Sequence, residues 1–181
     1  MQTLKEKYNK EVMPKMTEKF GYKTPMAVPK ILKVVVNSGI GKLREKKDVV
    51  EALERHLTLI VGQKLSPRPA RLAVASYKTR KGMIIGYKAT LRGNRMYDFL
   101  ERLVSLAIPR TRDFRGITVK SVDQNGNLTI GIKEHIVFPE MIGEDVRTIF
   151  GFEVTVVTNS KTRNEALELF KLLGFPLQKN V

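Results

Sequence analysis

Met83-Ile84-Ile85-Gly86-Tyr87-Lys88-Ala89-Thr90-Leu91-Arg92 is the clearest strand in the chain. Ile85, Tyr87, Ala89 and Leu91 fall on one side, and Gly86, Lys88, Thr90 and Arg92 on the other, which is the period of a half-buried β-strand. A second alternating segment runs from Ile31 to Asn37, with Leu32, Val34 and Val36 predicted inward and Ile31, Lys33, Val35 and Asn37 outward. Further strands are predicted around Ile117–Val122, Leu128–Ile132 and Phe152–Thr158, with an Asn125-Gly126 turn between the first two. The segment from Ala70 to Lys81 reads as a strand followed by a basic loop, after Pro67 and Pro69 have broken any regular element.

Between these strands the period changes to that of helices. Thr3 and Glu6 form a capping box, and Leu4, Tyr8, Val12, Met16 and Phe20 make an apolar stripe that Gly21 ends, with Pro14 predicted to kink or split it. Asp48 with Glu51 opens a second helix whose stripe is Val49, Leu53, Leu57 and Ile60, closed by Gly62. Asn94 is the expected cap of a third, with Met96, Phe99, Leu100, Leu103 and Ala107 inward and Pro109 as its stop. Thr162 and Glu165 begin a last helix that reaches Leu173. Mixed elements, hairpin signals and no strict βαβ repeat predict an α+β fold. The expectation is one domain over residues 1–181, a largely antiparallel sheet with helices on one side and an open polar face, and a basic loop protruding at about 70–82.

Charge indicates what that face meets. The chain carries 33 Lys and Arg against 18 Asp and Glu, a net of +15. Residues 64–115 hold thirteen of the cations against only Asp98, Glu101 and Asp113, a local net of +10. A folded, concentrated positive field fits a polyanion, nucleic acid first. The absence of cysteine removes thiolate metal sites and cysteine nucleophiles. Apolar runs are far shorter than the ~20 residues of a membrane span, so the protein is expected to be soluble and intracellular, without membrane contact.

Catalytic and nucleotide patterns fail on inspection. Gly39-Ile40-Gly41-Lys42 lacks the hydroxyl that must follow a phosphate-loop lysine, and Arg44 replaces the third glycine of a dinucleotide loop. His56 is expected on the polar side of its helix, exposed or beside RNA. His135 follows Glu134 in a turn, and neither histidine has a partner at metal-ligand spacing. Ser38, Ser66, Ser76 and Ser105 have no histidine nearby in sequence. No enzyme, cofactor or metal is predicted. Charge alone leaves a structural RNA binder, an RNA-acting enzyme and an architectural DNA binder as alternatives, although three scattered acids in the basic tract make a poor catalytic set.

The polar strand faces are more informative. If the two clearest strands share a sheet, Lys33, Asn37, Lys88, Thr90 and Arg92 form one surface. Its cations would neutralise phosphates, and its amide and hydroxyl would reach sugars or base edges. Arg71, Tyr77, Lys78, Arg80 and Lys81, followed by Gly82, make a mobile contact loop. Arg110-Thr111-Arg112-Asp113-Phe114-Arg115-Gly116 has two readings, a structural one in which an arginine holds Asp113 and Phe114 anchors in the core, and an RNA-facing one; at least one of the three arginines is expected to face phosphate.

Several spaced motifs carry a resemblance. Thr90-Leu91-Arg92-Gly93, Arg95-Met96, Phe99-Leu100-Glu101-Arg102-Leu103, Pro109-Arg110 and Arg112-Asp113-Phe114-Arg115-Gly116 resemble the bacterial type of the 5S-rRNA-binding protein family numbered five in the large ribosomal subunit. Asn37 with its glycine turn, Gly62-Gln63-Lys64, Gly126-Asn127, Phe138-Pro139-Glu140 and Gly174-Phe175-Pro176 follow in the same order. The resemblance implies a non-enzymatic protein of the cytoplasmic ribosome's central protuberance. It implies that 5S rRNA lies on the sheet face at Asn37, Gln63 and Thr90, joined here by Lys33, Lys64, Lys88 and Arg92. It further implies a tRNA-side loop with peptidyl-site tRNA as partner, contacts to large-subunit rRNA and neighbouring 5S-associated proteins, and a bridge to a protein of the small-subunit head. The chain departs from the family pattern at Leu72-Ala73-Val74, Ile84 and Val122-Asp123-Gln124-Asn125.

Overall fold

The computed structural model describes residues 3–41, 43, 46–112, 114–144, 146 and 148–178. Lys42 and Arg44, on which the two phosphate patterns turn, and Asp113 of the arginine-rich motif lie outside the described residues.

Five strands form one sheet: β1 (Ile31–Gly39), β2 (Ser66–Pro69), β3 (Ile84–Leu91), β4 (Leu128–Ile132) and β5 (Phe152–Thr158). Their spatial order is β2-β3-β1-β5-β4, and every neighbouring pair is antiparallel. The α+β expectation therefore holds. Val34, Val36, Tyr87, Ala89, Leu91, Val154 and Val156 are buried under the helices, and the alternate residues line the opposite face.

The first helical rod begins as predicted, with the Thr3 hydroxyl accepting the Glu6 amide. It splits at Pro14, and the device is a widened turn. α1 (Leu4–Lys7) passes into a π-helical turn, Tyr8–Val12, and then into α2 (Met13–Phe20). The Met13 amide reaches back five residues to the Tyr8 carbonyl, so the ladder is already offset where proline has no N–H to give. Gly21, at φ +67°, ends the rod.

Elsewhere the elements depart from expectation in instructive ways. The alternation in β1 is inverted at its start. A register shift between Ile31 and Lys33 adds one residue, turning Ile31 inward and leaving Leu32 43% exposed. From Val34 onward the predicted sides are correct. Pro67 and Pro69 do not abolish a strand, since β2 is the sheet's edge, the one position that tolerates missing N–H groups. Residues 70–82 contain no further strand. The loop is pinched at its neck by Ala70 N–H to Met83 O (2.8 Å) and Gly82 N–H to Ala70 O (2.9 Å), and carries one short turn, Ala75–Tyr77.

α3 (Lys47–Val61) starts ahead of the predicted cap, with Asp48 inside its first turn where a carboxylate suits the helix dipole. Asn94 likewise does not cap α4 (Gly93–Arg102). Arg92 holds the cap position, and the Asn94 side chain accepts from Lys5 Nζ at 3.0 Å. The predicted stripe from Met96 to Ala107 is buried throughout, and a π-helical turn, Leu103–Ala107, carries it towards Pro109. The strand expected at 117–122 is reduced to single bridges at Ile117 and Val122 around a 3-10 turn. The Asp123 carboxylate accepts from both the amide and the side chain of Asn127 (2.7 and 2.8 Å), which builds a wider turn than a two-residue hairpin. β4 pairs with β5 instead. α5 (Arg163–Leu173) is capped by Thr162 and ended by Gly174, as read from sequence.

Candidate nucleic-acid interface

Antiparallel register places the open face residue by residue. Asn37 of β1 lies directly opposite Lys88 of β3, which lies opposite Ser66 of β2. On its other side Asn37 faces Glu153 of β5. One step along, Val35 sits between Thr90 and Thr155, and Thr155 lies opposite Thr129 with the two hydroxyls 3.5 Å apart. Lys33 lies two residues further on the same side of β1, opposite Val157. Cross-strand neighbours stand about 4.5–5.5 Å apart, so an amide, an ammonium and a hydroxyl converge on one shallow surface.

Gln63 joins this group although it belongs to no strand. Gly62 ends α3 at φ +69° and turns the chain so that Gln63 Nε2 donates to the Thr90 carbonyl at 3.3 Å. Lys64 follows it, exposed. Arg92, also exposed, leaves the end of β3 at the start of α4. The structure thus brings Asn37, Gln63, Lys88 and Thr90 together, with Lys33, Lys64 and Arg92 around them. At the opposite end of the face two glycines meet, Gly39 exposed and Gly86 buried. Gly39 pairs with Gly86, and a Cβ on Gly86 would lie 2.8 Å from the Ser38 carbonyl oxygen.

Ser66, Thr129, Thr155 and Glu153 on this surface were missed in the sequence. The alternation of β5 is readable there, but its place beside β1 is not.

The loop residues form a separate group. Arg71, Tyr77, Lys78, Arg80 and Lys81 are all exposed, and Lys78 holds a left-handed conformation, φ +49°. The loop leaves the sheet where β3 begins at Ile84, six residues from Thr90. At ~3.3 Å per residue that is roughly 20 Å along the strand, but Arg71 and Tyr77 fold back to share a cleft with Gly39, two residues from Asn37.

The arginine-rich motif keeps Arg110, Arg112 and Arg115 exposed. Phe114 is exposed too and does not anchor in the core; the buried apolar residue of this segment is Ile117.

His56 also contradicts its expected exposure: it is 5% exposed. Leu53, His56, Leu57 and Ile60 are spaced i, i+3, i+4, i+7 and form one buried stripe. His56 stacks on His135 (centroids 5.4 Å, 20°), which stacks on Phe150 (3.9 Å, 11°). Burial, with the neighbouring His56, pushes the His135 imidazole down to about 4. These rings are packing groups, and Glu144, with an oxygen 4.0 Å from His56 Nε2, is ion-paired with Arg55 at 3.0 Å. Among the described residues no cluster of three or more His, Asp or Glu could hold a metal, and no helix is long and apolar enough to cross a membrane.

Known proteins match the chain over nearly its whole length. Residues 24–80 match the family described as Ribosomal protein L5, and residues 84–177 match the model of that ribosomal family's C-terminus. The Large ribosomal subunit protein uL5 of Dictyoglomus turgidum is 51% identical over 179 residues, covering 99% of this chain and 100% of the relative. The proteins of the same name from Dictyoglomus thermophilum and Halothermothrix orenii are 50% and 47% identical over the same shares. The chain belongs to the ribosomal protein L5 family, and is a structural, non-enzymatic constituent of the large subunit of the cytoplasmic ribosome.

Proposed function

We propose that the chain holds 5S rRNA on the open sheet face and so helps to build the central protuberance, while the loop at 70–82 reaches peptidyl-site tRNA. The observation that carries the first part is the convergence of Asn37, Lys88, Thr90 and Gln63 on one shallow surface. Lys88, with Lys33, Lys64 and Arg92 around it, neutralises phosphates. Asn37, Gln63 and Thr90 offer donors and acceptors at sugar and base height. The second part is supported by the exposed cations of the loop and by its place beyond the Gly39 end of the sheet face, which lets one protein touch two RNAs. Large-subunit rRNA, neighbouring 5S-associated proteins and a small-subunit head protein complete the proposed set of partners.

The test is selective binding. Purified protein should retain 5S rRNA against excess bulk tRNA at moderate salt, and duplex DNA should compete poorly. Equal retention of any RNA would refute the sheet-face assignment. Thr90→Val keeps the shape and the β-propensity but removes the hydroxyl, so 5S affinity should fall about threefold to tenfold at unchanged melting temperature. Unchanged affinity would remove Thr90 from the site.

A further inference from the structure

Phosphate contact explains the cations of the 70–82 loop but not its apolar side chains. Leu72 is 75% exposed and Tyr77 74%, in a loop with four cations and no acid. These residues are not scattered. With Val74, Ile85 and Phe150 they wall a cleft of about 930 Å³ whose floor is the backbone of Gly39 and Gly151. Arg71 stands at its rim, and the pinched neck at Ala70 and Gly82 holds the far wall in place.

We propose that this cleft receives a single unstacked RNA base, lying over the bare glycine floor, with Tyr77 stacking on it and Arg71 meeting its phosphate. The inference rests on the reading that the loop meets RNA, and adds what it takes from that RNA. Three observations select a base over other occupants. The volume lies in the range of small-molecule sites and leaves room for a base together with its sugar and phosphate. The walls are aromatic and aliphatic, and among the described residues the lining includes a guanidinium but no carboxylate, so the occupant combines an apolar face with negative charge. On the other side of the loop a second cleft, where Lys47, Lys78 and Arg80 meet Glu51 and Glu54, sets two carboxylates against an anionic occupant and suits a phosphate less.

The experiment uses the full chain and a hairpin RNA with one unpaired loop position carrying 2-aminopurine, beside the same RNA abasic there. Binding should change the 2-aminopurine emission. Tyr77→Ala should weaken the base-bearing RNA about tenfold and abolish that change, Tyr77→Phe should preserve both, and the abasic RNA should bind wild type and Tyr77→Ala alike. Tyr77 is mostly exposed, so its truncation leaves the fold intact. A variant combining Arg71→Gln, Lys78→Gln, Arg80→Gln and Lys81→Gln separates the two layers. If it loses affinity while Tyr77→Ala does not, the loop meets RNA and the base cleft is wrong. If it binds as well as wild type, the loop reading falls and takes the cleft with it. An acidic leucine-bearing peptide that displaces the RNA at lower concentration than unlabelled RNA does would assign the cleft to a protein side chain, and overturn the proposal.

Discussion

Lowering the pH from 7.5 to 5 should destabilise the folded chain by about 2 kcal/mol through His135 alone. The imidazole sits between His56 and Phe150 and is held down to about 4, against 6.5 in an open chain. Its folded value lies below its unfolded one, so between those values the unfolded chain binds more protons. Stability is therefore fully present above about pH 6.5 and is lost as the pH falls towards 4, where the loss levels off near 3 kcal/mol. Other groups titrate in the same window, so the measurement is a difference. Urea unfolding at pH 7.5 and pH 5 is compared between wild type and His135→Phe, which keeps a flat ring against Phe150 and removes the titration. The variant should lose about 2 kcal/mol less than wild type over the interval. An identical pH dependence in the two proteins would refute the reasoning, as would a His135 ring resonance titrating near pH 6 in the folded protein.

Three further outcomes follow from contacts on the sheet and in the core. Gly86→Ala places a methyl 2.8 Å from the Ser38 carbonyl, between two backbones that cannot easily move, and should cost about 1–3 kcal/mol, read as a lower melting temperature; an unchanged melt would mean that the β1–β3 approach is looser than described. Thr158→Val removes the buried hydroxyl that donates to the Gly126 carbonyl at 2.8 Å, and should cost about 1–3 kcal/mol by urea midpoint, with no loss only if that carbonyl finds another partner. If about six phosphates are neutralised, 5S affinity should fall on the order of a thousandfold between 50 and 200 mM salt. Lys88→Gln should shallow the logarithmic salt slope by about one unit, and an unaltered slope would exclude Lys88 from phosphate contact.

Much of the fold was legible because apolar spacing is local information. The stripes from Leu4 to Met16 and from Met96 to Ala107, the strand Phe152–Thr158 and the Thr162 cap needed only neighbours in the chain. What failed depended on partners distant in sequence. Pro67 and Pro69 read as breakers until their segment is known to lie at the sheet edge. His56 read as polar until residues 135–150 are laid over its helix. The bulge at Ile31–Lys33 exists only against β5. The candidate site divides the same way. Lys88 and Thr90 share a face by simple alternation, and Asn37 joined them through an assumed pairing of β1 with β3. Gln63 entered only through the resemblance, since the hydrogen bond that seats it beside Thr90 depends on the turn at Gly62.

The strand order has a consequence for synthesis. β1 is the middle strand, flanked by β3 and by β5. A chain emerging from the tunnel can close β2, β3 and β1 once residue 91 is out, and that half already presents Asn37, Gln63, Lys88 and Thr90. The other flank of β1 waits for β5, which ends at Thr158, roughly 67 residues after Leu91, a delay of roughly 3–13 s at usual elongation rates. During that interval the open edge of β1 must be kept from pairing elsewhere, while the proposed RNA-binding half is already complete. The order of the strands thus lets RNA capture begin before the sheet is finished.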